Sequence, residues 1–526
     1  MRQVLFSFSA LVLFLFYSGD NFSQPVASAT DNQNKAALIR SIPEKEGVSS
    51  EGIVNFLTAA EKGRTEFHSF MMLRHGKVIA EGWWNPYAAD LKHTLYSCSK
   101  SFTATAVGFA VSEKLLNIND KVISFFPEDL PDTITAFLSG LTVKDVLSMS
   151  DGQEPDPTRA VSGRDSNWVK SFLATPILYK PGTKFLYNSL GTYMLSAIVQ
   201  KVTGLKVIDY LKPRLFDPLG IDGMDWEVDP KGINTGGWGL RLKTEDMAKF
   251  GQLFLQKGKW KGKQILPASW IKEASTLKIV QHPEYSQTKR DSSDWEQGYC
   301  YQMWRCRHNA YRADGAFGQF IIVMPDQNAV IVFTGETPSM QEQINLVWEY
   351  LLPALKTKKL PVNKNMTAIL NQKLSSLALP APAKSVSTES ANISNKTFLM
   401  APNEKHITNI SFNFLNNIYE VRLESDNSIY KIAFGDGIWQ TGETTRHGPS
   451  LVADAKASFV GLPPLKINGA YRWKDKNTLE LTLRYIESPH TEKITCFFDQ
   501  NTISVEIENS FEYGKKKTQL RGVLKE

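Results

Sequence analysis

The stretch L-Y-S-C-S-K-S-F-T-A, residues 95–104, sets Ser97 and Lys100 three positions apart where an apolar helical pattern begins. S-x-x-K is one way to make a serine hydroxyl nucleophilic without histidine. The spacing alone decides little, because it recurs at Ser269/Lys272, Ser275/Lys278, Ser286/Lys289 and Ser428/Lys431. The first match is set apart by the residues on its C-terminal side. Phe102, Ala106, Phe109, Ala110 and Val111 form one apolar face and small residues cover most of the rest, the pattern of a packed helix. In the first turn of that helix, residues three apart share a side, so Lys100 reaches Ser97. The helix N-terminus disfavours an ammonium and favours the negative charge that develops on an attacked carbonyl oxygen. An ordinary lysine, of pKa about 10.4, is neutral only about once in 2,500 at pH 7, so Lys100 can act as a base only if its surroundings lower that value.

Outward from this turn, residues 68–84 read as two strands joined at His75-Gly76. A matching pair, residues 318–324 and 329–333, flanks the turn Pro325-Asp326-Gln327-Asn328, and an amphipathic helix over 341–355 comes next. Between the two pairs, residues 101–116, 142–149, 193–202 and 244–256 carry apolar residues at helical spacing. The pattern predicts a helical lobe set inside a sheet-and-helix lobe. Residues 357–392 turn rich in proline, lysine and serine and read as a linker with one short helix. Beyond it, Leu479, Leu481, Leu483 and Tyr485 alternate with polar residues, as do Ile503, Val505 and Ile507, which predicts an antiparallel β domain over 393–526 that serves as a packing or binding accessory.

The first twenty residues have a basic start at Arg2 and then an apolar run too short for a comfortable membrane span. They predict a signal peptide over residues 1–29 with an A-x-A site at Ala27-Ser28-Ala29, and hence a periplasmic or secreted protein with no stable span after cleavage. A length of 526 residues fits two domains, here 36–356 and 393–526. The net charge of +6 is mild and dispersed, so no nucleic-acid partner is expected. The four cysteines are too scattered for a disulfide framework and are expected as buried free thiols. The eight histidines show no H-E-x-x-H or clustered ligand spacing, there is no G-x-S-x-G elbow, and no metal or cofactor is expected.

A second element, Lys180-Pro181-Gly182-Thr183-Lys184-Phe185-Leu186-Tyr187-Asn188-Ser189, reads as a turn, a short strand and a helix. Its Tyr187 is the expected partner of Lys100, held as phenolate or relaying a proton. With L-T-V-K-D-V-L-S-M-S-D-G at 141–152 and G-G-W-G-L-R-L-K-T-E-D-M-A-K-F-G at 236–251, these motifs resemble the penicillin-recognising serine hydrolases, closest to class C β-lactamases, family VIII carboxylesterases and 6-aminohexanoate-dimer hydrolases. The resemblance covers about residues 50–355. It implies an α+β fold of the β-lactamase/transpeptidase kind, an antiparallel sheet with flanking helices plus a helical lobe, here continued by a C-terminal all-β domain. It also implies Ser97 as acylated nucleophile, Lys100 as its activating neighbour and Tyr187 as proton shuttle. The family's strand bearing K-T-G or H-x-G corresponds to Ala313-Asp314-Gly315-Ala316, so the N–H groups of Ser97 and Ala316 are the implied oxyanion donors.

Two departures from the family pattern bear on substrate. The family's Y-x-N reads Tyr187-Asn188-Ser189, so Ser189 stands where the asparagine would be, and Asn188, Ser189 and Trp238, with Asp314, Gly315 and Ala316, are the expected oxyanion and substrate-binding residues. Ala313 replaces the lysine that would bind a substrate carboxylate, and a charge-assisted hydrogen bond of that kind contributes about 1.5–3 kcal/mol. Arg312, as its strand neighbour, is expected to point to the opposite face. The expected activity is therefore hydrolysis of a small-molecule ester or amide through an acyl-serine. β-Lactamase or D-alanyl-D-alanine peptidase activity, or a penicillin-binding sensor without turnover, are the alternatives. Trp83, Trp84, Trp238, Tyr299 and Trp304 are offered as walls of an apolar acyl pocket.

Overall fold

Both sequence hairpins join one seven-stranded sheet in the computed structural model, which describes residues 37–385, 392–458 and 464–525. The expected signal peptide and residues 386–391 of the expected linker lie outside the described residues. The strand order is Ile39–Arg40, Lys77–Trp83, Glu66–Arg74, Ala329–Glu336, Gln319–Met324, Tyr311–Gly315 and Trp304–Arg305, antiparallel except for the first pair. Strands from the two ends of the lobe meet at the centre, where Met72 pairs with Ile331 and Phe70 with Phe333.

This sheet is covered on both faces, which is why its strands are nearly continuous apolar runs. Met71, Leu73, Ile321, Val323, Val330 and Val332 face the helical lobe. Phe70, Met72, Phe320, Ile322, Ile331 and Phe333 face the helix Ser50–Lys62 and the helical segment after Ser339. The helical lobe is built on Ser99–Ser112, Ser189–Thr203 and Thr244–Leu255. Cys98, Cys300, Cys306 and Cys496 are all buried free thiols.

The C-terminal strands run from Lys396–Met400 to Thr518–Leu524. Nine of them form a closed barrel, because Ser428–Asp436 pairs in parallel with Leu465–Asp475 and seals the two ends of an otherwise antiparallel sheet. Leu479, Leu481, Leu483 and Tyr485 fill its interior with Ile503, Val505 and Ile507, as their alternation in sequence requires. The barrel packs on the sheet-and-helix lobe through buried polar contacts. Arg484 Nη1 donates to Glu66 Oε1 at 2.6 Å, Thr94 N–H donates to Glu487 O at 2.9 Å, and His490 Nδ1 lies 2.9 Å from Glu336 Oε1. Burial alone would push the Glu66 carboxyl up, but the charge of Arg484 and the hydrogen bond from His68 outweigh it and hold the group at about 2. Among the described residues no helix is long and apolar enough to cross a membrane.

Candidate active site

Ser97 sits in a single tight turn, Tyr96–Cys98, that runs directly into the helix Ser99–Ser112. Tyr96 enters that turn at φ 46°, a left-handed conformation that costs a bulky residue on the order of 1–3 kcal/mol unless its surroundings enforce it. Ser99 Oγ helps to do so by donating to Tyr96 O at 2.7 Å and accepting from Leu240 N–H at 3.1 Å. Ser97 itself is half-buried, whereas Lys100 is sealed in the helix's first turn.

Lys100 Nζ lies 3.1 Å from Ser97 Oγ, 2.9 Å from Ser189 Oγ and 2.7 Å from Gly237 O. A neutral amine has two N–H donors and one lone pair. An ammonium donates to all three oxygens, whereas the neutral amine donates to Ser189 and to the carbonyl of Gly237 and can accept from the Ser97 hydroxyl. Burial lowers the Lys100 pKa to about 7, against a partial upward pull from Asp156 and Asp314. The position at 237 must be glycine, since a Cβ there would stand 2.7 Å from Ser189 O and 3.4 Å from Lys100 Nζ.

Tyr187 shifts the other way. Burial first, and then the negative charge of Asp314, raise its pKa, while a hydrogen bond with Ser97 offsets part of the rise. A phenolate is therefore not what the site holds near neutral pH. The ring lies 5.0 Å from Lys100 Nζ, stacks on Trp304 at 5.8 Å and meets Tyr299 edge-on at 6.3 Å. Two titratable groups pushed apart by their surroundings mark out an acid and a base. Here the amine is the group shifted toward its free-base form and the phenol the one held protonated.

The expected strand before Tyr187 is not formed. Residues 183–187 run as irregular chain, pinned by Leu186 N–H to Met149 O at 2.8 Å. The helix begins at Ser189, and Asn188 is its cap: Oδ1 accepts from Gly191 N–H at 3.0 Å while Nδ2 donates to Asp151 and to Gln153. Asn188 is fully buried with every polar atom engaged, so this geometry makes it a structural support and leaves it no bond to offer a substrate. Trp238 is likewise a core residue, with its Nε1 donating to Glu227 and its ring 5.8 Å from Trp168. Trp84 stacks on Phe67 in the core beneath the sheet, and Trp83 packs half-buried against the core on the other face. Of the five aromatic residues offered as pocket walls, Tyr299 and Trp304 cluster with Tyr187, joined there by Phe185, Met149 and Trp295.

The strand Tyr311–Gly315 ends against the turn that carries Ser97. A Cβ on Gly315 would lie 2.0 Å from Leu95 O and 3.2 Å from Cys98 N, so the bare backbone of this strand end abuts the backbone of residues 95–98. Ala316 is the next residue, and its N–H and that of Ser97 lie on these two touching segments. Ala313 faces the helical lobe's core. Arg312 is buried and ion-paired with Asp314, donating to Asp314 Oδ2 at 3.0 Å and to the carbonyl oxygens of Asp294 and Arg305, with its guanidinium 4.3 Å from the Trp295 ring. This strand presents no free cation to a substrate carboxylate. It presents Asp314, neutralised internally by Arg312.

The residues that sequence reasoning missed are Gly237 as an acceptor for Lys100 and the pair His490 and Glu336 behind the nucleophile turn. Gly237 carried a visible signal in the G-G-W-G motif. The pair of barrel His490 and sheet Glu336 carried none, because its members lie 154 positions apart in sequence.

A model of the beta-lactamase family matches residues 58–349, more than half of the chain. A 6-aminohexanoate-dimer hydrolase of Paenarthrobacter ureafaciens is 27% identical over 289 residues, covering 51% of this chain and 72% of that relative. An Escherichia coli (strain K12) protein described as a candidate D-alanyl-D-alanine carboxypeptidase is 28% identical over 142 residues, covering 24% of this chain and only 33% of that relative. Among solved structures, a candidate 6-aminohexanoate-dimer hydrolase from Bacillus anthracis shares the fold with a TM-score of 0.50 at 21% identity, covering 62% of this chain and 89% of that one.

Proposed function

The chain belongs to the beta-lactamase family of serine hydrolases, and from that premise we propose that it is an exported hydrolase that cleaves a small ester or amide through an acyl-enzyme on Ser97. The observation that carries this reading is the setting of Lys100, a buried amine 3.1 Å from Ser97 Oγ with a pKa lowered to about 7. In the proposed cycle Lys100 takes the Ser97 proton as Oγ attacks the carbonyl carbon. The N–H groups of Ser97 and Ala316 bind the oxyanion, and Tyr187 passes its proton to the leaving group and regains one from the Lys100 ammonium, which returns both groups to their neutral forms. Water then repeats the sequence on the acyl-serine. An uncharged or weakly charged substrate is favoured over a carboxylate-bearing one, because Ala313 supplies no cation and Arg312 is spent on Asp314. The basic and apolar first twenty residues support export.

The test is mass spectrometry of the mature protein with an activated aryl ester and, separately, with a penicillin, while product release is monitored. Adduct on Ser97 with ester turnover supports the reading. A stable penicillin adduct without turnover replaces it with a sensor, rapid penicillin opening replaces it with a β-lactamase, and the absence of any Ser97 adduct overturns it.

The direction of the lysine shift sets the pH dependence. The working form of Lys100 is the free amine, so kcat/KM is expected to be low below the pKa and to climb to a plateau above it, with an apparent midpoint of about 7. A profile flat from about pH 5.5 to about 8.5 would remove Lys100 from the role of base. The rise in Tyr187 predicts that no loss of activity from phenol ionisation appears below about pH 9.

A further inference from the structure

We infer that the hydrogen-bond chain Glu336–His490–Tyr96, through which the barrel reaches the nucleophile turn, positions both halves of the oxyanion site. The inference rests on the reading of Ser97 as nucleophile. His490 ends the barrel loop between the strands Thr478–Tyr485 and Thr491–Asp499 and is completely buried. Its Nδ1 stands 2.9 Å from Glu336 Oε1, at the end of the central strand Ala329–Glu336, and its Nε2 stands 2.6 Å from Tyr96 Oη. A carboxylate facing Nδ1 selects the tautomer protonated there, which leaves Nε2 to accept from the Tyr96 hydroxyl. Ser510 Oγ donates to the same Glu336 oxygen at 2.8 Å, and Leu451 N–H donates to Tyr96 Oη at 3.3 Å, so residues from three separate parts of the C-terminal region hold this chain in place.

The same imidazole also touches the other half of the site. Phe317 meets the His490 ring edge-on at 4.8 Å and the Tyr96 ring at 5.6 Å. Tyr96 immediately precedes Ser97, and Phe317 comes immediately after Ala316. Both residues have left-handed backbones, with φ of 46° and 67°. Non-glycine residues relax from that region unless packing over-determines them, and here one barrel histidine contacts both. None of the three residues of the chain touches the reacting atoms. They act by fixing where the Ser97 and Ala316 N–H groups point, and a donor displaced from the oxyanion costs rate without costing substrate binding.

The experiment compares Tyr96→Phe, His490→Gln and His490→Leu with the wild type in full-length protein. It measures steady-state kcat and KM on an activated aryl ester, the rate of Ser97 acylation by mass spectrometry, and the affinity for an arylboronic acid, which places an oxygen in the oxyanion site when it adds to serine. Tyr96→Phe, which deletes one oxygen atom, is expected to lower kcat about tenfold and boronate affinity in parallel, with KM within about twofold. His490→Gln, which keeps a donor and an acceptor, is expected to retain more of kcat than His490→Leu. Folded Tyr96→Phe and His490→Gln proteins with kcat and boronate affinity within about twofold of wild type would overturn the inference and leave the reading of Ser97 standing, as would a rise in KM at constant kcat. A wild type that is never acylated on Ser97 overturns the reading and the inference with it.

Discussion

Lys100→Ala is expected to lower kcat/KM on an activated aryl ester by roughly a thousand- to ten-thousand-fold, the range for deleting a general base from a preorganised site. In the proposed cycle the amine receives the Ser97 proton, because Tyr187, the alternative among the described residues, is held as a neutral phenol by burial and by Asp314. Deletion also strands Gly237 O and Ser189 Oγ, which both lose their bond to Nζ. A buried acceptor left without a partner costs about 1–3 kcal/mol, so a lower thermal midpoint accompanies the loss of rate. Ser97→Ala is expected to be at least as damaging to turnover. The double variant is expected to be no worse than Ser97→Ala alone, because groups that act as one unit are not additive. A Lys100→Ala protein with more than about a tenth of wild-type kcat/KM would assign the base elsewhere.

Gly315→Ala is the second change of large effect. A methyl group there meets the carbonyl oxygen of Leu95 at 2.0 Å, and both partners are backbone, so neither can swing aside. The strand end must part from the nucleophile turn, which separates the N–H groups proposed to bind the oxyanion. Removal of one such donor typically costs about 100- to 1,000-fold in kcat, and displacement of both segments is expected to reach that range. Circular dichroism and a kcat measurement decide the matter. A folded variant with normal kcat would show that the oxyanion is bound elsewhere.

Much of the catalytic lobe is legible because its signals are local. The apolar face behind Ser97 and the two hairpin patterns each lie within a short window of sequence, and the helix Ser99–Ser112 and the paired strands appear where those patterns put them. The alternation of Leu479, Leu481, Leu483 and Tyr485 marks the strand and its inward face, but not the parallel seam at Gly435 and Ala470 that closes the barrel. Asn188 reads as a substrate contact because its neighbours in the motif are chemical, while its own side chain is consumed in starting a helix, a role that only the positions of Gly191, Asp151 and Gln153 reveal. Residues 183–187 alternate little and resemble a strand only through the turn before them; in the fold they are held by contacts to Met149 and lack a strand partner. Ser189 and Gly237 meet Lys100 across 89 and 137 positions of chain, distances at which spacing in sequence carries no information.

The partly buried pairing of Arg484 with Glu66 bears on what an exchange of the barrel would do to the fold. An ion pair held partly away from water becomes a liability when one member is removed, whatever its net worth when intact. A recombination event that exchanged this barrel for an unrelated module would leave the Glu66 carboxylate, and Glu336 with it, without the barrel partners that now neutralise or orient them. Exchange of the whole barrel is therefore expected to cost stability, whereas point substitution around Tyr187, Tyr299 and Trp304 leaves these contacts in place.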